Sequence, residues 1–140
     1  MPRVLQISDS HLSSAKPHFA PNWPPLHRWI EAQDAALVVH TGDVTVDGAD
    51  QEQDMRHGAD MLHGLGKPAL AVPGNHDVGE VGNPYQPVNG ERLDRWRRHF
   101  GQDYWLRDVG EWRLIGLNSM VFGQDGPDEA AQRAWLDQAM

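Results

Sequence analysis

The sequence predicts an α/β layered fold in a single domain, and three observations predict it. Strand-like and helix-like runs alternate through the first half of the chain, the pattern of right-handed crossovers. Three apolar runs, Val4 to Ser8, Leu37 to His40 and Ala69 to Val72, each pass directly into polar residues able to bind metal or substrate. The length of 140 residues suits one domain that buries roughly two-thirds of its unfolded surface.

Taken in order, Arg3 to Ser8 reads as a short buried strand ended by Asp9-Ser10-His11. Leu12 to Pro25 is irregular and proline-rich, which is long for a connection inside a compact domain and points to a functional or mobile loop. His18, Phe19, Asn22 and Trp23 could face a substrate from it, while Trp23 equally suits a place over the core edge. Pro25 opens a helix with Leu26, Trp29 and Ile30 on one face. Ala35 to His40 is the second strand, followed by a Gly- and Asp-rich loop over Gly42 to Asp50. A helix from Gln51 to Leu65 carries Met55, Ala59, Leu62 and Leu65 as its stripe and stops at Gly64 and Gly66.

Lys67-Pro68 opens the third strand, whose turn at Pro73-Gly74 delivers Asn75-His76-Asp77. Ligands of open α/β sheets sit at such carboxyl ends of strands. Val78 to Asn89 is a loop at the same edge. Gly90 to Phe100 is a helix whose arginines, interleaved with Glu91 and Asp94, read as a solvated face. Tyr104 to Val109 and Trp112 to Leu117 form a hairpin around Gly110-Glu111, and the second strand feeds Asn118-Ser119. Pro127 to Met140 is a helix with Ala131, Trp135, Leu136 and Ala139 as its stripe. Nothing in the sequence stops that helix, so the reading expects residues 1–140 to be one catalytic domain that continues beyond Met140.

The net charge of −8 argues against nucleic acid or an anionic membrane as partner, since both favour a basic face. With no cysteine, disulfides, thiolate metal sites and cysteine nucleophiles are excluded. No stretch approaches a membrane-spanning length, and Met1 to Ser8 lacks the apolar region of a signal peptide. The expectation is a cytoplasmic enzyme.

The three polar clusters suit phosphoester hydrolysis, which needs an activated water and neutralised phosphoryl oxygens. Two metal ions roughly 3.5–4 Å apart supply both, with a bridging carboxylate between them. Asp9 and His11, if extended, point to the same side and can grip one ion. Asp43, after the close-packing Gly42, is placed to bridge, and Asn75 offers an amide oxygen to the second ion. His76 then faces the substrate as a proton donor or polariser, with Asp77 orienting its imidazole. Asp-x-His or Gly-Asp alone is ordinary turn chemistry. Gly-Asn-His-Asp directly after a strand has no obvious structural need for its histidine, and the three together favour a site.

With those residues in view, the chain resembles the calcineurin-like metallophosphoesterases. The resemblance rests on Asp9-Ser10-His11, Gly42-Asp43-Val44-Thr45 and Gly74-Asn75-His76-Asp77, and extends through Trp112 to Ser119 and Trp135-Leu136. It implies a four-layer α-β-β-α sandwich, here its N-terminal half, with a dinuclear centre of two divalent ions (Mn, Fe or Zn). Asp9 and His11 would bind the first metal, Asp43 would bridge, Asn75 would bind the second, and His76 would serve the leaving group. Thr41-Gly42-Asp43, Asp47-Gly48 and Asn22 look most like class III cyclic-nucleotide phosphodiesterases, so the implied partner is a small-molecule phosphoester such as a cyclic nucleotide. The family completes its site with a further histidine and a Gly-His-x-His motif that this sequence does not contain. His40, His57, His63 and His99 do not stand at the matching positions. The alternatives are a phosphomonoesterase or nuclease on the same scaffold, and an inert metal-binding fragment that forms a homodimer through an exposed sheet edge.

Overall fold

The three apolar runs form one parallel sheet in the order β1-β2-β3, with β1 at Val4–Ile7, β2 at Leu37–His40 and β3 at Ala69–Ala71. The computed structural model describes residues 1–140. Ile7 lies opposite His40, and His40 opposite Ala71. The three strands therefore end in line, and the residues after each emerge at one edge of the sheet.

Between β1 and β2 comes a 3-10 turn, Pro17–Asn22, and helix α1, Trp23–Glu31. The proline-rich stretch expected to be irregular is thus partly helical. Proline's fixed φ suits a helix start, and both Pro24 and Pro25 fall in the first turn of α1. Trp23 is buried in the core, the second of the two places the sequence allows it. Helix α2, Glu52–His63, joins β2 to β3, and its expected stripe of Met55, Ala59, Leu62 and Leu65 is buried. These side chains, with Ile30 of α1, pack against Leu5, Ile7 and Val38 to make the core. The other face of the sheet is more open. Val4, Gln6, Val39 and Thr41 line a shallow apolar depression there, together with Trp105, Leu114 and Ile115.

After β3 the chain makes the one-turn helix α3, Asn75–Val78, and then α4, Gly90–Phe100. Three of the four arginines of α4 do not form a solvated face; Arg98 stays exposed. Arg92 Nε donates to the Ala49 carbonyl at 3.2 Å, and Arg95 donates to the same oxygen. Arg92 also pairs with Asp50 at 2.6 Å, and Arg97 with buried Asp103 at 2.8 Å. Carboxylates and carbonyls brought close by the fold, remote in sequence, consume these cations. The Ala49 amide in turn donates to the His76 carbonyl at 3.0 Å, so α4 braces the loop under α3.

The hairpin pairs β4, Trp105–Val109, with β5, Trp112–Gly116, as the Gly110-Glu111 signal predicts. Gly110 has φ 61°, the positive value a two-residue hairpin turn with glycine first requires. The Trp105 indole donates to the Ala71 carbonyl at 2.8 Å and ties the hairpin to the end of β3. Asn118 is buried and bonded to Asp103 and Gln132, so its place after β5 is structural. The last helix, α5 (Pro127–Ala139), departs from its expected stripe: Glu129 and Gln132 are buried, whereas Ala131 is exposed. The Glu129 carboxylate accepts the Gly123 and Asp125 amides, and Gln132 answers Asn118, so polar groups with partners take the inner face. No helix is long and apolar enough to cross a membrane.

Candidate metal centre

Asp9, His11, Asp43 and His76 come together where the three strands end. His11 Nε2 lies 3.8 Å from Asp9 Oδ1 and 4.0 Å from Asp43 Oδ2. One donor atom each from His11, Asp43 and His76 falls within 4.8 Å of the others. The His11 and His76 rings meet edge to face with centroids 4.8 Å apart. Asp43 and His11 are mostly buried, while Asp9 stands 65% exposed at the rim. Asn75 opens α3, next to His76 in the chain, and is half-buried.

The local backbone differs from the extended Asp9–His11 geometry that the sequence suggests. Asp9, His11 and Asp43 all adopt left-handed conformations, with φ of 55°, 42° and 52°, and Asp125 is the sole other non-glycine residue to do so. Such φ values are rare, and Asp and His are among the side chains that tolerate them best. The two turns that carry these residues are held together by backbone bonds. The Asp9 amide donates to the Gly42 carbonyl at 3.0 Å, and the His11 amide to the Asp43 carbonyl at 3.1 Å. Uncommon backbone concentrated at one spot marks a place where side-chain position outweighs local comfort.

Asp43 is held from both sides. Its Oδ1 accepts the His76 amide at 3.0 Å, leaving Oδ2 toward His11. His76 Nδ1 donates to the Val46 carbonyl at 2.7 Å, because a carbonyl can only accept. The other ring nitrogen of His76 is therefore the free one, an arrangement common to metal-binding and proton-transferring histidines.

Asp77 corrects the sequence reading. It does not orient the His76 imidazole, a task the Val46 carbonyl performs. Asp77 is fully buried and accepts from the amides of Val44, Thr45 and Gly74 at 3.1, 2.9 and 2.9 Å, and from the Thr45 hydroxyl at 2.7 Å. It joins the loop after β2 to the loop after β3. Burial pushes its carboxyl above the ordinary range, against the pull of those four donors. One turn of helix sends Asp77 inward while Asn75 and His76 stay half-buried at the edge.

Ser10 and His40, neither a site candidate in the sequence, meet beside Asp9 and His11. His40 is wholly buried at the end of β2, with Nε2 2.8 Å from Ser10 Oγ. An imidazole closing an otherwise apolar run was the signal available for it. Burial lowers its pKa to about 4, although Asp9 pulls the other way and His11 adds a little to the lowering.

The donor set fits divalent metal. The Asp9 and Asp43 carboxylates face His11 Nε2 at 3.8 and 4.0 Å, beyond hydrogen-bond distance. Atoms that each sit about 2.0–2.2 Å from a shared ion stand about 3–4 Å from one another, close to the gaps found here.

Among solved structures, the chain is similar to purple acid phosphatase PPD1 from yellow lupin (Lupinus luteus) seeds. The TM-score is 0.62 over 99% of this chain at 14% identity, a likeness of fold. The chain covers 27% of that protein's chain. No curated protein matches. A family model described as calcineurin-like phosphoesterase matches residues 2–138. The mixed α/β architecture, with its parallel sheet and flanking helices, agrees with that match as a part of the metallophosphoesterase fold. A match over nearly the whole length identifies the chain as a member of the calcineurin-like phosphoesterase family.

Proposed function

We propose that this chain is the N-terminal half of a catalytic domain that hydrolyses phosphoesters with two divalent metal ions, and that its substrates are phosphodiesters such as cyclic nucleotides. The observation that carries the reading is the meeting of His11, Asp43 and His76 within 4.8 Å, with Asp9 at the rim. When bound, such ions neutralise phosphoryl oxygens and lower the pKa of water. Asp9 and His11 would hold one ion, Asp43 would be shared, and Asn75 would serve the second through its amide oxygen. Asp9, His11, Asp43 and Asn75 are too few for two ions that each take four or more ligands, which supports further ligands beyond these four. Mn, Fe and Zn all suit this mixture of imidazole and carboxylate.

His76 is the residue to act on the leaving group. The Val46 carbonyl holds its Nδ1 proton, so a protonated His76 offers a second N–H for a departing oxygen. A role for His76 as a third ligand is favoured by its distance from His11 and Asp43. Asp77 acts at one remove, by fixing the turn that carries His76. The arginines of α4 are engaged with Asp50, Ala49 and Asp103, which speaks against a nuclease groove along that helix.

The test is hydrolysis of bis(p-nitrophenyl) phosphate and of 3′,5′-cyclic AMP by protein loaded with Mn(II) or Zn(II), beside p-nitrophenyl phosphate as the monoester. Faster turnover of the diesters is expected. Preference for the monoester would overturn the diester assignment, and metal content of one ion or none with no turnover would support an inert fragment.

A further inference from the structure

Ser10 sits between Asp9 and His11, and His40 lies buried beneath them, yet neither belongs to the donor set. The hydrogen bonds around this pair fix each proton. The Gly42 amide donates to His40 Nδ1 at 3.3 Å, so Nδ1 is bare and the neutral ring carries its proton on Nε2. The Ser10 hydroxyl donates to the Val44 carbonyl at 3.0 Å. Ser10 Oγ is then left to accept the Nε2 proton across 2.8 Å.

A serine this close to a histidine invites a nucleophile-and-base reading. The proton order excludes it. An imidazole that donates to the hydroxyl cannot also take the hydroxyl proton, and its other nitrogen is occupied by Gly42. The pair instead links three pieces of backbone: the end of β2, the Gly42–Val44 turn and the Asp9–His11 turn. Backbone bonds hold Asp9 and His11 against Gly42 and Asp43, and Ser10, between them, is anchored by its side chain. These are the turns in which Asp9, His11 and Asp43 take left-handed conformations, and such conformations persist where surrounding contacts over-determine them.

We propose that His40 and Ser10 form a positioning pair for the metal centre, locking the Asp9–His11 turn to the Gly42–Asp43 turn so that His11 and Asp43 present their donors to a shared cation. Neither side chain touches the ion or the substrate. The inference rests on the metal-site reading above and extends it to two residues that the family motifs do not use as ligands. Glutamine at position 40 can keep an N–H for Ser10 but places no acceptor where Nδ1 stands for Gly42, whereas Ser10→Ala removes the link from the other side and leaves the core intact.

The test has two arms on the whole 140-residue chain. In the first, long-range ¹H–¹⁵N spectra of the metal-free protein at neutral pH should show His40 as the Nε2–H tautomer. An Nδ1–H tautomer or an imidazolium would overturn the proposal. In the second, calorimetric titration with Mn(II) compares wild type, His40→Gln, Ser10→Ala and the double variant, with thermal melting run on each. Ser10→Ala should keep its melting temperature and bind Mn(II) on the order of tenfold more weakly, the cost typical of losing a group that orients a ligand. The double variant should bind no more weakly than the worse single one, because one link is broken in either case. Wild-type affinity in folded Ser10→Ala, or fully additive losses, would overturn the pairing. If wild type itself binds no Mn(II), the metal-site reading fails. The positioning claim is then judged on the tautomer and on whether Ser10→Ala shifts the His11 ring resonances; a wrong tautomer or unmoved resonances would end it.

Discussion

Gly74 stands against Asp43 so closely that no side chain fits between them. A Cβ at position 74 would overlap Asp43 Oδ1 and lie 2.5 Å from the Asp43 backbone nitrogen. The glycine of the third motif is therefore what lets the carboxylate of the second reach the His76 amide. Backbone cannot yield cheaply, so Gly74→Ala should cost about 1–3 kcal/mol of stability, as overpacking does. It should also weaken metal binding by displacing Asp43. Urea unfolding and Mn(II) titration check both, and unchanged stability would mean that the two loops are not in contact.

Asp43→Asn keeps an oxygen for the His76 amide but removes the charge that faces His11. The fold should survive by circular dichroism. Metal affinity and metal-dependent diester hydrolysis should fall by at least about a hundredfold, more than the loss of an orienting group costs. Normal rates in a folded variant would remove Asp43 from the bridging role.

His76→Ala separates the two roles open to that imidazole. If it protonates the leaving group, kcat should drop by about 10²–10⁴-fold with metal content unchanged. Loss of metal alongside activity, read by atomic absorption, would assign His76 to the ligand set.

Asp77→Asn should damage the fold. The carboxylate accepts four hydrogen bonds in a fully buried position, and an amide NH₂ would set donors against donors. A loss of about 3 kcal/mol or more is expected from denaturant unfolding, since bonds to a buried charge are among the strong ones. A stable variant with reduced kcat alone would restore Asp77 to a role at the His76 ring.

His40 predicts a pH dependence of stability in the metal-free protein. Its folded pKa of about 4 lies below the ordinary 6.5, so between those values the unfolded chain binds a proton that the folded chain does not. Stability should therefore fall as pH drops from 6.5 toward 4, by about 3 kcal/mol in total, and level off outside that window. Asp77, with its raised pKa, contributes with the opposite sign, but it is common to wild type and His40→Gln. The difference between their two stability curves isolates His40. A difference that does not change with pH would show that the imidazole is not held neutral.

The sequence by itself determined the alternation of strands and helices, the hairpin at Gly110 and the three polar clusters that end the parallel strands. These were legible because they are local: an apolar run, a turn residue and a chemistry-bearing side chain lie within a few positions of one another. The in-line ending of the strands then follows from parallel pairing and brings Asp9, His11, Asp43 and His76 to one edge. Tertiary structure alone decided which polar residues serve the site and which serve the fold. Asp77 looks like a site residue in the sequence, and Asn118 is another polar residue at a strand end, yet each faces buried partners supplied by other elements. The arginines of α4 look like a solvated surface, yet the loop after β2 takes two of them. His40 reads as a stray histidine until Ser10 and Gly42 are folded onto its two nitrogens. A one-residue difference along a helical turn separates His76 from Asp77, and only packing decides which of the two faces inward.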